Sequence, residues 1–257
     1  MSVCTITYNG KDFADFNVYI DGSKAFGSPE KDYEIIEIPG RNGGLSIFNN
    51  RFKDIEVSIP CYIRQNFVEN YRHMMEYLNS VNGYQRFETS KEPEYFRRAL
   101  FLGAVEPSPG QFNKTGRFTL NFRLNPQRWL KSSEEWIDLT DVPSYHFDNP
   151  TNMGAKPIFR FYENGTIYVS SVDSSSGEEV LTRTGEVTIT NNVGKYVDID
   201  CETFDCYSES GGVITNRNAD VTFTIDPVIN PGDNMITYYV VNPGAIILEI
   251  IPRFFMI

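Results

Sequence analysis

The second half of the chain is cut into short runs of strand formers at near-regular intervals, and nothing else in the sequence narrows the fold as much. Runs at 158–163, 166–172, 186–190, 195–201, 213–215, 221–225, 234–241 and 245–251 are rich in Val, Ile, Tyr and Phe. Asn-Gly, Asn-Asn, Gly-Gly or Pro-Gly separates them. Short strands with turn chemistry between them bury one face each by packing as a β-sandwich.

The first half follows the same rule with one interruption. The run 5–8 meets Asn9-Gly10, 18–20 ends at Asp21-Gly22, and 33–38 stops at Pro39-Gly40. The segment 54–59 alternates polar and apolar residues, the period of a strand with one buried face. GRNGGLSIFNNRFKD lies between the last two runs and reads as a hairpin connection. The interruption is a helix. Asn66 stands as its cap, Phe67, Tyr71, Met74, Met75, Leu78 and Val81 recur at spacings of three and four, and Asn82-Gly83 ends it. The apolar stripe is read as helix-on-sheet packing, and His73 as a surface or boundary residue. Strand-like runs follow at 84–88, 96–102 and 116–124. The region 137–157 contains Pro143, Pro150 and Pro157, which suits a semi-rigid connector. The expected organisation is therefore an N-terminal domain at 1–136, a connector at 137–157 and a C-terminal domain at 158–257.

Charge divides the chain in the same place. Residues 1–136 hold 17 Lys and Arg against 17 Asp and Glu, whereas 137–257 hold 6 against 17. The whole net charge of −11 therefore sits in the second half, where it would repel a phosphate backbone. The basic residues around Arg97, Arg98 and 123–131 admit a nucleic-acid face, a solvated strand face or a subunit contact. No apolar run approaches membrane-spanning length. The opening MSVCTITYNG does not read as a signal peptide, so the four cysteines are expected as reduced thiols.

The stretch VDIDCETFDCYSE is the place where chemistry could hide. Asp198, Asp200 and Glu202 alternate with Ile199 and Cys201, which puts the acids on one strand face and Val197, Ile199 and Cys201 on the other. A calcium loop would need a central glycine in turn conformation, and none is present. The expectation is a sandwich strand with a solvated acidic face, and Cys206 as a core position after a turn. The chain has no G-x-S-x-G, no phosphate-binding glycine loop and no paired Cys/His ligands. No catalytic residue, metal or cofactor is assigned, and the chain is read as a non-enzyme.

Several segments in order carry a resemblance. GRNGGLSIFNNRFKDIEVSIP, the helix, YLNSVNGYQRFETSKEPEYFRRALFLG and GRFTLNFRLNPQRWL resemble the distal tail protein (Dit) family of long-tailed phages. NPTNMGAKPIFRFYENGTIYV, YVDIDCETFDCYSE and INPGDNMITY with the terminal I-I-P-R resemble that family's C-terminal half. The resemblance implies a mainly β fold: a tail-tube-like β-sandwich with one flanking helix, then a galectin-like β-sandwich. It implies a homohexameric ring at the virion tail tip, assembled in the host cytoplasm. The ring joins the major tail-tube protein to tail-associated, baseplate or receptor-binding proteins, with host glycans engaged indirectly and DNA passing through its channel. The hairpin at 41–50 and the strands near 97–101 and 118–123 are expected as contact surfaces, with Arg41, Asn42, Asn50, Arg97, Arg98 and Arg123 as interface residues. The alternative is a carbohydrate-binding protein recognising host glycans through the C-terminal sandwich. Residues 158–257 contain no tryptophan, so a sugar-stacking platform there would rest on Tyr or Phe.

Overall fold

A computed structural model describes residues 4–22, 26–110, 113–140, 142, 144–175, 178–192, 196–240 and 248–257. The chain is mainly β and forms two compact units, the first running to Arg128 and the second spanning Trp129–Met256. Pro143, the start of the 245–251 run and the first three residues lie outside the described residues.

In the first unit the strands are β1 (Ile6–Tyr8), β2 (Lys11–Asp12), β3 (Val18–Ile20), β4 (Lys31–Ile36), β5 (Leu45–Phe52), β6 (Ile55–Ile63), β7 (Gln85–Thr89), β8 (Tyr95–Phe101), β9 (Ser108–Gly110) and β10 (Thr115–Leu124). Their sheet runs β2-β1-β7-β8-β10-β6-β3, with β9 on β10, while β4 and β5 form a separate two-stranded ribbon. The helix α1 (Phe67–Ser80) covers one face of the sheet, burying Phe67, Met74 and Leu78. Alternation along β10 sends Phe118, Leu120, Phe122 and Leu124 inward, onto the face where Tyr8, Phe87 and Ile59 also lie. The helix starts where the spacing places it, but not by the expected cap. Asn66 lies at φ 52°, ψ 47° and makes no side-chain cap bond. A capping residue normally takes an extended backbone that aims its side-chain oxygen at the first free amides, and a left-handed one does not.

The second unit is a sandwich of two sheets. Its strands are β11 (Arg128–Leu130, entered from the first unit), β12 (Ile137–Asp138), β13 (Ser144–Asn149), β14 (Ile158–Phe161), β15 (Gly165–Asp173), β16 (Val180–Ile189), β17 (Val197–Asp200), β18 (Asp205–Ser210), β19 (Val213–Asn216), β20 (Val221–Ile225), β21 (Gly232–Val240), β22 (Leu248–Ile251) and β23 (Phe255–Met256). One sheet runs β12-β22-β14-β17-β18-β19 and the other β13-β21-β15-β16-β20, while β11 pairs with β23. Phe159, Phe161, Val197, Ile199 and Leu248 from the first sheet meet Ile167, Val169, Val187, Ile189 and Ile236 from the second.

The segment read as a connector is part of this sandwich. Strands β12 and β13 fall inside 137–157, and the compact boundary lies at Arg128 rather than 136. Pro150 directly follows β13 and so takes no ladder position in it. Asn149, next to Pro150, is buried and fully used. Its Nδ2 donates to the carbonyls of Met153 (2.9 Å) and Ile229 (3.1 Å), and its Oδ1 accepts from the Thr151 amide (3.0 Å) and hydroxyl (2.7 Å).

Candidate assembly surfaces

The β4–β5 ribbon breaks the rule that a strand hides its apolar face. Antiparallel register pairs Tyr33 with Phe48, Glu34 with Ile47, Ile35 with Ser46 and Ile36 with Leu45. Tyr33, Ile35 and Phe48 therefore share one face, and Ile36, Leu45 and Ile47 the other. Both faces are apolar and both are open: Ile35 is 70% exposed, and Tyr33, Ile36, Leu45 and Ile47 are exposed as well. A lone two-stranded ribbon is marginal in water, and an apolar patch of this kind marks a contact surface. At the ribbon's base Arg51 Nε donates to Asp32 Oδ2 at 2.6 Å, and the Tyr33 and Phe48 rings lie 5.2 Å apart. Arg41 and Asn42 sit exposed at its tip, beside the turn where Gly40 and Gly43 both take positive φ. Asn50 is exposed in β5 at φ 53°.

The face of the main sheet turned away from its core is polar and carries Arg98 and Arg123. Arg98 is exposed and lies directly opposite Arg86 across β7 and β8. Arg123 Nη2 donates to Glu56 Oε1 at 2.6 Å, which raises the guanidinium pKa. Arg97 is a correction to the expected surface set. Adjacent residues on a strand point to opposite faces, so Arg97 and Arg98 cannot share one. Arg97 turns inward and is only 5% exposed, near the Phe26 ring and 3.9 Å from Glu92 Oε2. Its Nε and Nη1 have no hydrogen-bond partner, and burial lowers its pKa.

The acidic stretch resolves into one ion pair and one guanidinium shared between two acids. Val197, Ile199 and Cys201 are buried, as the alternation predicts. The opposite face is not simply solvated. Asp198 is 3% exposed and takes a two-point contact from Arg160. Arg253 Nη1 donates to Asp200 Oδ1 at 2.9 Å and its Nη2 to Glu202 Oε2 at 2.6 Å. The acids were legible, but their basic partners were not, because Arg160 and Arg253 are remote in sequence. Among the described residues no group of three or more His, Cys, Asp or Glu is arranged to hold a metal. Burial pushes the thiols of Cys61 and Cys206 up to about 12 and that of Cys201 well above its ordinary value. Such thiols behave as small apolar core residues. His73 lies half-buried on α1, its Nε2 3.2 Å from Arg72, and His146 lies in β13, 3.9 Å from Asp233. The two sit in different compact units and each has its own local neighbour.

Comparison with solved structures finds the same fold over the whole chain. The crystal structure of the SPP1 Dit protein (gp 19.1), described as a paradigm of the hub adsorption apparatus in phages infecting Gram-positive hosts, aligns with a TM-score of 0.64. The alignment covers 97% of each chain at 15% sequence identity. No protein-family model matches the chain, and neither does any curated protein sequence.

Proposed function

We propose that this chain is a distal tail protein, a structural hub at the tip of a phage tail. The observation that carries the reading is the likeness to the SPP1 Dit fold across 97% of both chains. The first unit forms a homohexameric ring that receives the major tail-tube protein on one side. Tail-associated, baseplate or receptor-binding proteins attach on the other. DNA passes through the channel, and assembly takes place in the host cytoplasm before the virion is complete. The second unit, a galectin-like sandwich, stands as the outer arm. The role is architectural and needs no catalytic residue.

A ring closes by heterologous contact, each copy offering two different surfaces to its neighbours. The β4–β5 ribbon, with Arg41 and Asn42 at its tip, is one such surface, and the polar sheet face with Arg98 and Arg123 the other. Light scattering with negative-stain imaging tests this on the full chain, alone and with its tail-tube partner. Six-fold rings with a central hole support the hub. Persistent monomer with the partner present overturns it. Reversing charge at Arg41 and Arg98 together, or placing Asp at Ile35 and Ile47, is expected to dissolve the ring; an intact ring removes these residues from the interface.

One observation favours glycan recognition as a second reading. Trp136 belongs to the sandwich unit, is exposed, and lies 4.3 Å over the Arg160 guanidinium. The second unit therefore does present an indole to solvent. Saturable binding of host cell-wall polysaccharide, lost in Trp136→Ala, would move this reading to first place.

A further inference from the structure

The six-stranded sheet of the second unit ends on β19, and among the described residues no strand pairs with that edge. All four residues from Val213 to Asn216 are exposed, with Val213 at 65% and Ile214 at 69%. Edge strands are normally blunted by charge, proline or a bulge, and β19 has neither charge nor proline and pairs with β18 in unbroken register. Gly211 and Gly212, both at positive φ, make the two-residue turn that joins them. In such a hairpin the closing pair Ser210–Val213 is hydrogen-bonded, so the bonded pairs on β19 are Val213 and Thr215. The backbone N–H and C=O of Ile214 and Asn216 then point outward, away from the sheet.

The side chains of those two residues line a cleft of about 510 Å³, together with Asp200, Thr203, Asp205 and Tyr207. The edge is also held rigid. Asn218 Oδ1 accepts from the Cys206 amide at 2.6 Å, the Arg217 amide donates to the Cys206 carbonyl at 2.7 Å, and the buried Arg217 guanidinium reaches Asp220 and the Asn191 carbonyl. A preformed edge with a side-chain cleft beside it is the arrangement that accepts an added strand: backbone bonds supply affinity and the cleft supplies selectivity.

We infer that β19 is a docking edge for an extended segment of a partner protein with alternating basic and apolar residues, added as a seventh strand. The charge of the surface selects basic over acidic segments. Asp205 and Glu209 are exposed on β18, and the half of the chain around them carries 6 basic against 17 acidic residues. An apolar residue of the segment packs on Val213, and its basic neighbours lie on the opposite face, which Ile214 shares with Asp205 and Tyr207. A second copy of this chain would bring the same acids to the edge and be repelled. This inference stands independently of ring formation by the first unit.

The test uses the full protein and a synthetic ten-residue peptide alternating Lys with Val. Amide exchange on the free protein is expected to be fast at Ile214 and Asn216 and slow at Val213 and Thr215. Saturating peptide is expected to slow Ile214 and Asn216 at least tenfold. A peptide with proline at two central positions is expected to have no effect. Asp205→Lys, on an exposed side chain, is expected to weaken the Lys-Val peptide at least tenfold and leave the melting temperature unchanged. Unchanged exchange at Ile214 and Asn216 under saturating peptide overturns the inference, as does equal protection by the proline peptide. A concentration-dependent doubling of mass with protection at the same two amides, without peptide, would make the occupant a second copy and also overturn it.

Discussion

Arg160 grips Asp198 with two parallel hydrogen bonds, Nε to Oδ1 at 2.6 Å and Nη2 to Oδ2 at 2.9 Å, across adjacent strands of the second unit. The Trp136 and Tyr196 rings lie over the same guanidinium at 4.3 and 4.4 Å. The bond to Asp198 raises the Arg160 pKa, so the guanidinium keeps its charge. Removing one member of a buried pair strands the other, at about 3–5 kcal/mol when both are fully enclosed. Arg160 keeps 23% of its side chain in solvent, which softens that cost. Asp198→Ala is expected to lower unfolding stability by about 2 kcal/mol, read as a fall in the urea midpoint. The double variant Arg160→Met with Asp198→Leu is expected to recover most of the loss.

The buried thiols give a chemical test of the two cores. Cys61, Cys201 and Cys206 all have raised pKa values, with burial as the leading cause. At pH 8 a thiol near 12 is almost wholly protonated and slow to react. A thiol-specific disulfide reagent is expected to leave these three unlabelled in the folded protein and to label all four cysteines in guanidinium. Fast labelling of Cys201 before unfolding would contradict the packing.

Acid should loosen the exposed ribbon. The hydrogen bond from Arg51 leads the causes that hold the Asp32 carboxyl below its ordinary range. A depressed carboxylate contributes stability above its unfolded pKa and loses it as pH falls through the folded value. The methyl signals of Ile35 and Ile47 are expected to stay constant from pH 7 to about 4, near the unfolded Asp value, and to shift below it. Arg51→Gln is expected to move that transition to higher pH.

Gly116 is required by a contact, not by its backbone angle. A Cβ there would lie 2.3 Å from the Phe67 ring, which α1 buries against β10. Overpacking of this kind costs about 1–3 kcal/mol. Gly116→Ala is expected to lower the thermal midpoint, and adding Phe67→Leu is expected to return part of it. A melting curve unchanged by Gly116→Ala would mean that Phe67 can move aside.

The sequence by itself determined which residues face inward. Period-two alternation at 197–201 placed Val197, Ile199 and Cys201 in the core, and the three- and four-residue spacing of Phe67, Met74 and Leu78 placed the helix stripe there. These are local properties, set by the geometry of one strand or one turn. The order of the motifs likewise pointed to the fold that the structural comparison finds. Only the tertiary structure decided what each polar side chain meets. Asp198 reads as a solvated acid until β14 brings Arg160 beside it, 38 residues away. Arg97 and Arg98 read as one basic patch until the strand sends them to opposite faces. Residues 137–157 read as a linker because proline marks breaks, and whether the stretches between breaks pair depends on β21 and β22, distant strands no local pattern encodes. Partnership between groups remote in sequence is a property of the folded chain, and the exposed ribbon and the open β19 edge became visible only once every other strand had found its neighbour.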